Sequence, residues 1–233
     1  MIRGLQGFIA WVEKNHFDLD KEKIAFIKRV KETLGLKKHG VISAMKSILS
    51  EKNKLNLDNI FFSDFYNIDY FGKTKLGQLV YLGKTSQNRN LILEVSKIIK
   101  LDIEQIIAKY DIGFVCFIPP TIDRKLQFLD VLKKGLRLNI QEVVISKITS
   151  ETRVPQKTLR RLDDRILNAK ATIVVKPTQK IDKNVFIIDD ATGSGATLNE
   201  TAKKIKDIAD KHVKVYGYSV VGSYKGFDVI SEV

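Results

Sequence analysis

An α/β fold, a parallel sheet flanked by helices with a helical appendage at its N-terminus, is what this sequence predicts. Three observations carry that expectation: apolar runs without polar alternation (GFVCFI, NVFIID, VKVYGYSVV), amphipathic stretches between them, and an N-terminal stretch whose apolar residues recur at three-to-four spacing. Strands that are apolar throughout are buried on both faces, and the helices between them supply the cover. A chain of 233 residues holds one medium domain plus an appendage. The expected division is a helical segment over 1–56 and an α/β domain over 57–233, with a small flap or hood at about 60–90.

Taken in order, Ile2, Leu5, Phe8, Ile9 and Val12 mark the apolar stripe of a first helix, with Trp11 on the same side as a core residue. Asp18 or Asp20 caps a second helix bearing Ile24, Ile27 and Val30, which Gly35 closes. A short third helix is expected over 41–49, followed by the lysine-rich linker SEKNKLNLDN. From Ile60 the aromatics of FFSDFYNIDYF, followed by GQLVYLGK, suggest short strands or a flap rather than long helices. Residues 91–108 are helical again. Then follow a strand at GFVCFI, a helix over about 123–136, strands at EVVISKI, ATIVV and NVFIID, a helix over about 196–211, and a last strand at VKVYGYSVV.

Composition narrows the function classes. Charged residues interrupt every apolar stretch of MIRGLQGFIAWVEKNHFDLD, so neither a signal peptide nor a membrane partner is expected, and the predicted location is cytoplasmic. The single cysteine, Cys116, excludes an internal disulfide and lies in an apolar run as a packed thiol. His16, His39 and His212 have no partners at metal-ligand spacing. Lys and Arg number 40 against 27 Asp and Glu, a formal charge of +13 that attracts polyanions without separating nucleic acid from a phosphorylated metabolite.

The chemistry concentrates in residues 185–200, VFIIDDATGSGATLNE. A buried strand ends in Asp189 and Asp190, a small turn follows over 191–196, and Leu198, Ala202 and Ile205 then mark one face of a helix. In open parallel sheets ligands bind beyond the carboxyl ends of the strands. Gly193 and Gly195 let the backbone approach a ligand, and the free amides of the next helix point to the same place, which suits a phosphate. Ser194 and Thr197 add hydroxyl donors, each hydrogen bond to a charged group contributing roughly 1.5–3 kcal/mol. The aspartates would repel a phosphate unless they accept from a sugar diol, with magnesium shared with a pyrophosphate offsetting the rest. As a bland alternative, the acids only cap the helix, although Asp190 lies far from Leu198 for that role.

The run VFIIDDATGSGAT resembles the PRPP signature of type I phosphoribosyltransferases, and the chain is most similar to their ComF-like, competence-associated branch. Pro119 and Pro120 after the first sheet strand, Arg124, Gln127, and the spacing Gln156, Leu159, Arg165, Asn168 carry the likeness over about 111–233, with a weaker echo in 70–84. The resemblance implies a phosphoribosyl transfer from PRPP with magnesium to an unidentified acceptor. It implies ribose contacts, and indirect metal contacts, at Asp189 and Asp190. It places the terminal phosphate on Ala191, Thr192, Gly193, Ser194, Gly195, Ala196 and Thr197, and pyrophosphate on Thr121, Arg124 and Lys125. The stretch 152–165 would be a mobile loop, with Arg153, Lys157, Arg160 or Arg161 reaching the leaving group; as a bland alternative, KTLRRLDDR is a solvated face. Gly193 stands where that branch has Thr and purine-salvage relatives have an acid, which leaves the acceptor open. The N-terminal helices replace the branch's cysteine zinc module. The alternative reading, drawn from the +13 charge, Gly193 and the ComF-like resemblance, is a DNA-uptake protein that binds single-stranded DNA or partner proteins on this scaffold without turnover; a homodimer is a further expected partner.

Overall fold

The computed structural model describes residues 5–43, 55–148, 162–176 and 179–223. At the N-terminus lie α1 (Leu5–Lys14) and α2 (Leu19–Leu36). Of the two candidate caps, Asp18 serves: its backbone is extended and its carboxylate accepts the Lys21 N–H at 2.9 Å, satisfying a donor the first helical turn leaves open. Phe8, Trp11 and Phe26 surround Phe71, which belongs to a short 3-10 turn (Asp69–Phe71), with ring centroids 6.2, 5.7 and 5.2 Å away respectively. This aromatic cluster fastens the helical pair to the rest of the protein.

Where a third helix was expected, the chain forms a hairpin of β1 (Lys37–Lys38) and β2 (Val41–Ser43); residues 44–49 of that expected helix lie outside the described residues. Two consecutive left-handed residues, His39 (φ 49°) and Gly40 (φ 82°), reverse the chain there. The β-branched Val41 and Ile42 then bury as strand residues do.

The flap expected at about 60–90 is instead β3 (Asn59–Phe65) and α3 (Lys75–Thr85), both built into the main body. Phe61, Phe62 and Phe65 of β3 are all buried, so of the short strands or flap that these aromatics suggested it is a core strand that forms. Thr74 caps α3, accepting from the Gly77 N–H at 2.9 Å while donating to the Phe65 carbonyl at 2.6 Å. The predicted helix at 91–108 is α4 (Arg89–Lys109), where Ile92, Val95, Ile99, Ile103 and Ile106 form one buried stripe. Burying each such side chain stabilises the fold by about 1.5–3 kcal/mol.

Beyond it run β4 (Ile112–Phe117), α5 (Phe128–Leu136), β5 (Gln141–Glu142), β6 (Val144–Lys147), α6 (Leu162–Thr172), β7 (Ile173–Lys176), β8 (Asn184–Thr192), α7 (Ala196–Lys206) and β9 (Val215–Gly222). The main sheet has the order β1-β2-β3-β9-β8-β4-β5, parallel from β3 to β5 and antiparallel at β1 and β2. The architecture is thus a mostly parallel central sheet flanked by helices. The N-terminal segment adds strands to it as well as helices.

Two expected sheet strands leave the sheet. β6 and β7 pair antiparallel as a separate ribbon, Val144 opposite Lys176 and Lys147 opposite Ile173. Their residues are mostly half-buried, as suits a ribbon with one solvated face. In the sheet, the two-residue β5 takes the place beside β4.

Helices cover both faces of the sheet. Tyr216 stacks on Tyr110 at the end of α4, and the Tyr218 hydroxyl shares a 2.7 Å hydrogen bond with Ser63, which donates to Asp102 of α4. Between them in sequence, Gly217 faces Leu198 of α7, as the alternation of a strand requires. All eight residues of β9 are buried, which marks it as a central strand. Cys116 is fully buried, and burial pushes its thiol up, as expected for a packed residue. No described helix is long and apolar enough to cross a membrane.

Candidate functional site

The connections of the sheet fix where a crevice must open. From β8 the chain passes through α7 to β9 on one side, whereas from β4 it passes through α5 to β5 on the other. Between the carboxyl ends of β8 and β4 the winding therefore reverses direction, and the two following loops diverge. A cleft of about 390 Å³ lies there, walled by residues 117–122 at the end of β4 and beyond it, and by residues 189–198, from the end of β8 into α7. That volume falls within the range of small-molecule sites.

Asp189 and Asp190 do not end their strand, as the sequence suggested; β8 continues to Thr192, pairing Asp189 with Ser219 and Thr192 with Gly222. The acids are thus held by the sheet rather than by a loop. The Asp190 N–H donates to Asp189 Oδ1 at 2.8 Å, which fixes the first carboxylate against the backbone. Lys84 Nζ meets Asp190 Oδ1 at 2.7 Å, with the lysine side chain only 9% exposed. Asp189 is pushed up to about 7, first by burial and then by the charge of Asp190, with the Asp190 N–H, Lys147 and Lys84 acting in the opposite sense. Burial lowers Lys147, and the two aspartates partly restore it.

The turn after β8 forms the second part of the cleft. Gly195 takes φ 73° and precedes α7 with no side chain to cap it, and in the first turn the Ala196 N–H meets Ser194 Oγ only at a long 3.5 Å. The open N–H groups and positive dipole end of α7 belong to residues that line the cleft. Thr192 and Ser194 are buried, and the Thr192 hydroxyl finds no hydrogen-bond partner among the described residues. Ala191, Gly193, Ala196 and Thr197 complete this wall.

Opposite it, Pro119 and Pro120 lead from β4 into Thr121, whose hydroxyl accepts from Lys147 Nζ at 2.7 Å. Arg124 lines the cleft and donates to the Lys84 carbonyl at 3.2 Å, tying this loop to the end of α3. The Leu126 N–H donates to Gln87 Oε1 at 3.1 Å, a second tie between the same segments. These anchors hold the chain in an irregular, bent course where a helix was expected, and α5 begins at Phe128 rather than near Asp123. Lys125, expected beside Thr121 and Arg124, is exposed and stands outside the residues lining the cleft. Farther along the wall, Lys133 pairs with Glu142 and lies 5.7 Å from the Phe117 ring centroid.

The cleft therefore gathers Asp189, Asp190, the turn 191–197, Thr121 and Arg124 from the sequence expectations. Arg153, Lys157, Arg160 and Arg161 lie outside the described residues. Lys84 and Lys147 are the site residues that sequence reasoning missed. Lys147 ends the apolar-rich EVVISK and Lys84 ends GQLVYLGK, so each carried one signal, a cation closing an apolar stretch. Among the described residues no group of three or more His, Cys, Asp and Glu is arranged to hold a metal ion.

Neither a protein-family model nor a curated protein matches the chain. Among solved structures it is similar to the crystal structure of adenine phosphoribosyltransferase from Leishmania tarentolae, with 9% sequence identity over 78% of this chain and 97% of that one, and a TM-score of 0.36. What the cleft can do follows from its own residues.

Proposed function

We propose that the cleft binds PRPP and that the protein is phosphoribosyltransferase-like, passing the phosphoribosyl group to an acceptor. The observation that carries this reading is the union, on one strand, turn and helix, of a sheet-held carboxylate pair with an uncapped helix N-terminus. A phosphomonoester fits the amides of 193–197, where the buried Thr192 hydroxyl supplies a further donor. Asp189, once ionised, accepts from the ribose hydroxyls. Asp190 serves the same diol while Lys84 compensates its charge.

Pyrophosphate then falls toward Thr121, Lys147 and Arg124 across the cleft. In the transfer, the bond from the anomeric carbon to pyrophosphate oxygen breaks and its electron pair leaves with pyrophosphate, while an acceptor lone pair forms the new bond. Lysine and arginine cations fixed beside the departing oxygens stabilise that charge without reorganising. Arg153 and Lys157 are further cations for the leaving group on the same reading. Magnesium, when it arrives with pyrophosphate, supplies added charge neutralisation. Its preference for carboxylate oxygens fits Asp189 and Asp190 as a partial, shared donor set. Pro119, Pro120, Arg124, Gln127 and the spacing Gln156, Leu159, Arg165, Asn168 favour the ComF-like branch within this class, from which Gly193 departs.

Isothermal titration with PRPP and magnesium tests the proposal. Binding is expected in the wild type and is lost in the doubly substituted Asp189→Asn/Asp190→Asn protein while its circular dichroism stays unchanged. A folded wild type that gives no heat, or a double variant of unaltered affinity, refutes the assignment.

A further inference from the structure

We infer that the outer face of α2 is a self-association surface on which a second copy of this chain docks antiparallel. The inner face of this helix is occupied, with Thr33 buried and Phe26 packed on Phe8 and Phe71. Around the other side, residues 20, 24, 27, 31 and 34 recur at alternating spacings of four and three, which places them in one stripe along the helix. The stripe reads Asp20, Ile24, Ile27, Lys31, Leu34. Its apolar members are open to solvent, at 68%, 43% and 64% exposure for Ile24, Ile27 and Leu34. Asp20 and Lys31 are exposed too, and neither forms an ion pair among the described residues.

The order of these residues selects the occupant. With a two-fold axis crossing the helix between Ile24 and Ile27, each Ile24 opposes Ile27 of the second copy and each Asp20 opposes Lys31. The isoleucines then meet each other, and symmetry forms the acid–base pair twice. A parallel pairing stacks Asp20 on Asp20 and Lys31 on Lys31. Shifting the antiparallel register by one heptad sets Ile27 against Lys31. One register alone joins both isoleucines and both opposite charges, the way charged residues in a helical seam choose orientation.

Lys21, Lys23 and Lys28 border the stripe, and two chains of +13 repel each other, so pairing needs moderate ionic strength. A single helix face covers less than the roughly 800 Å² per partner of a standard interface, which makes the dimer reversible. None of the residues lining the cleft lies on α2, so this surface stands or falls independently of the proposed function.

Sedimentation velocity over a concentration series in moderate salt is the test. Wild type is expected to shift from monomer to dimer with rising concentration, and Ile27→Asp to remain monomeric. Asp20→Lys and Lys31→Asp each weaken association by about tenfold or more, whereas an equimolar mixture of those two variants regains the wild-type behaviour through heterodimers. All three positions are exposed, so circular dichroism is unchanged in each variant. A wild type that is monomeric throughout, leaving the stripe to a different partner, overturns the inference. So does a dimer that survives Ile27→Asp, or a mixture that fails to regain association.

Discussion

Between the ordinary carboxylate range near 3.8 and the value of about 7 that burial and Asp190 impose on Asp189, the folded protein holds a proton that the unfolded chain has released. Where the folded state binds more protons, stability falls as pH rises. The penalty is absent below about pH 4, grows through the interval, and is complete above about pH 7. The melting temperature of the ligand-free protein is therefore expected to decline across that interval relative to Asp189→Asn, which carries no titrating group there. Parallel melting curves for the two proteins would remove the assignment. Ligand binding has the opposite sign, because only the ionised carboxylate accepts two hydroxyl donors: PRPP affinity rises toward pH 7 in the wild type beyond the rise Asp189→Asn shows from phosphate ionisation alone. At this scale the acids and the glycine turn were legible because they are consecutive, a pattern a strand-to-helix turn imposes on its own sequence. Lys84 was not, since more than a hundred residues separate it from Asp190 and only the packing of α3 brings the two to 2.7 Å.

The turn between β8 and α7 depends on a conformation that side chains resist. Gly195 at φ 73° sits in the left-handed region, where a residue with Cβ costs roughly 1–2 kcal/mol. Gly195→Ala is expected to lower the melting temperature by about 2–8 °C at this chain length and to weaken PRPP binding with it, because the amides of the turn move together. Gly35→Ala is the control: it lies inside α2 with nothing within 4 Å of the new Cβ, so it leaves stability unchanged or raises it by up to about 1 kcal/mol. Differential scanning calorimetry separates the two, and equal losses in both would show that Gly195 has no special backbone role. Elements with a strong period were readable: the isoleucine stripe of α4 and the unbroken apolar runs of β8 and β9 appear where periodicity put them. The ribbon of β6 and β7 was not, because four-residue apolar runs look alike whether they pair inside a sheet or with each other. The hairpin at Lys37–Ser43 was hidden for a different reason, as its turn is made by His39, a residue with little turn signature, ahead of Gly40.

Across the whole molecule, the predicted alternation of strands and helices produces the parallel sheet, and the reversal of winding between β8 and β4 sets the cleft. Strand order itself was not readable, because it depends on which crossovers the chain makes rather than on any local pattern. The net charge of +13 belongs to this scale as well. Most of the described lysines stand outside the residues lining the cleft and act on an approaching anion through the long-range field, which screening removes: the Debye length shrinks from about 10 Å at 0.1 M salt to about 3 Å at 1 M. Contacts within the cleft, such as Lys84 with Asp190 at 2.7 Å, are shorter than either length. Salt should therefore act on encounter rather than on residence. Stopped-flow binding of PRPP is expected to show an association rate that drops by about tenfold or more over that range, with a dissociation rate changing by less than about threefold. An association rate indifferent to salt would mean that the basic surface does not steer this ligand, and would direct attention to a polyanion that contacts those lysines directly.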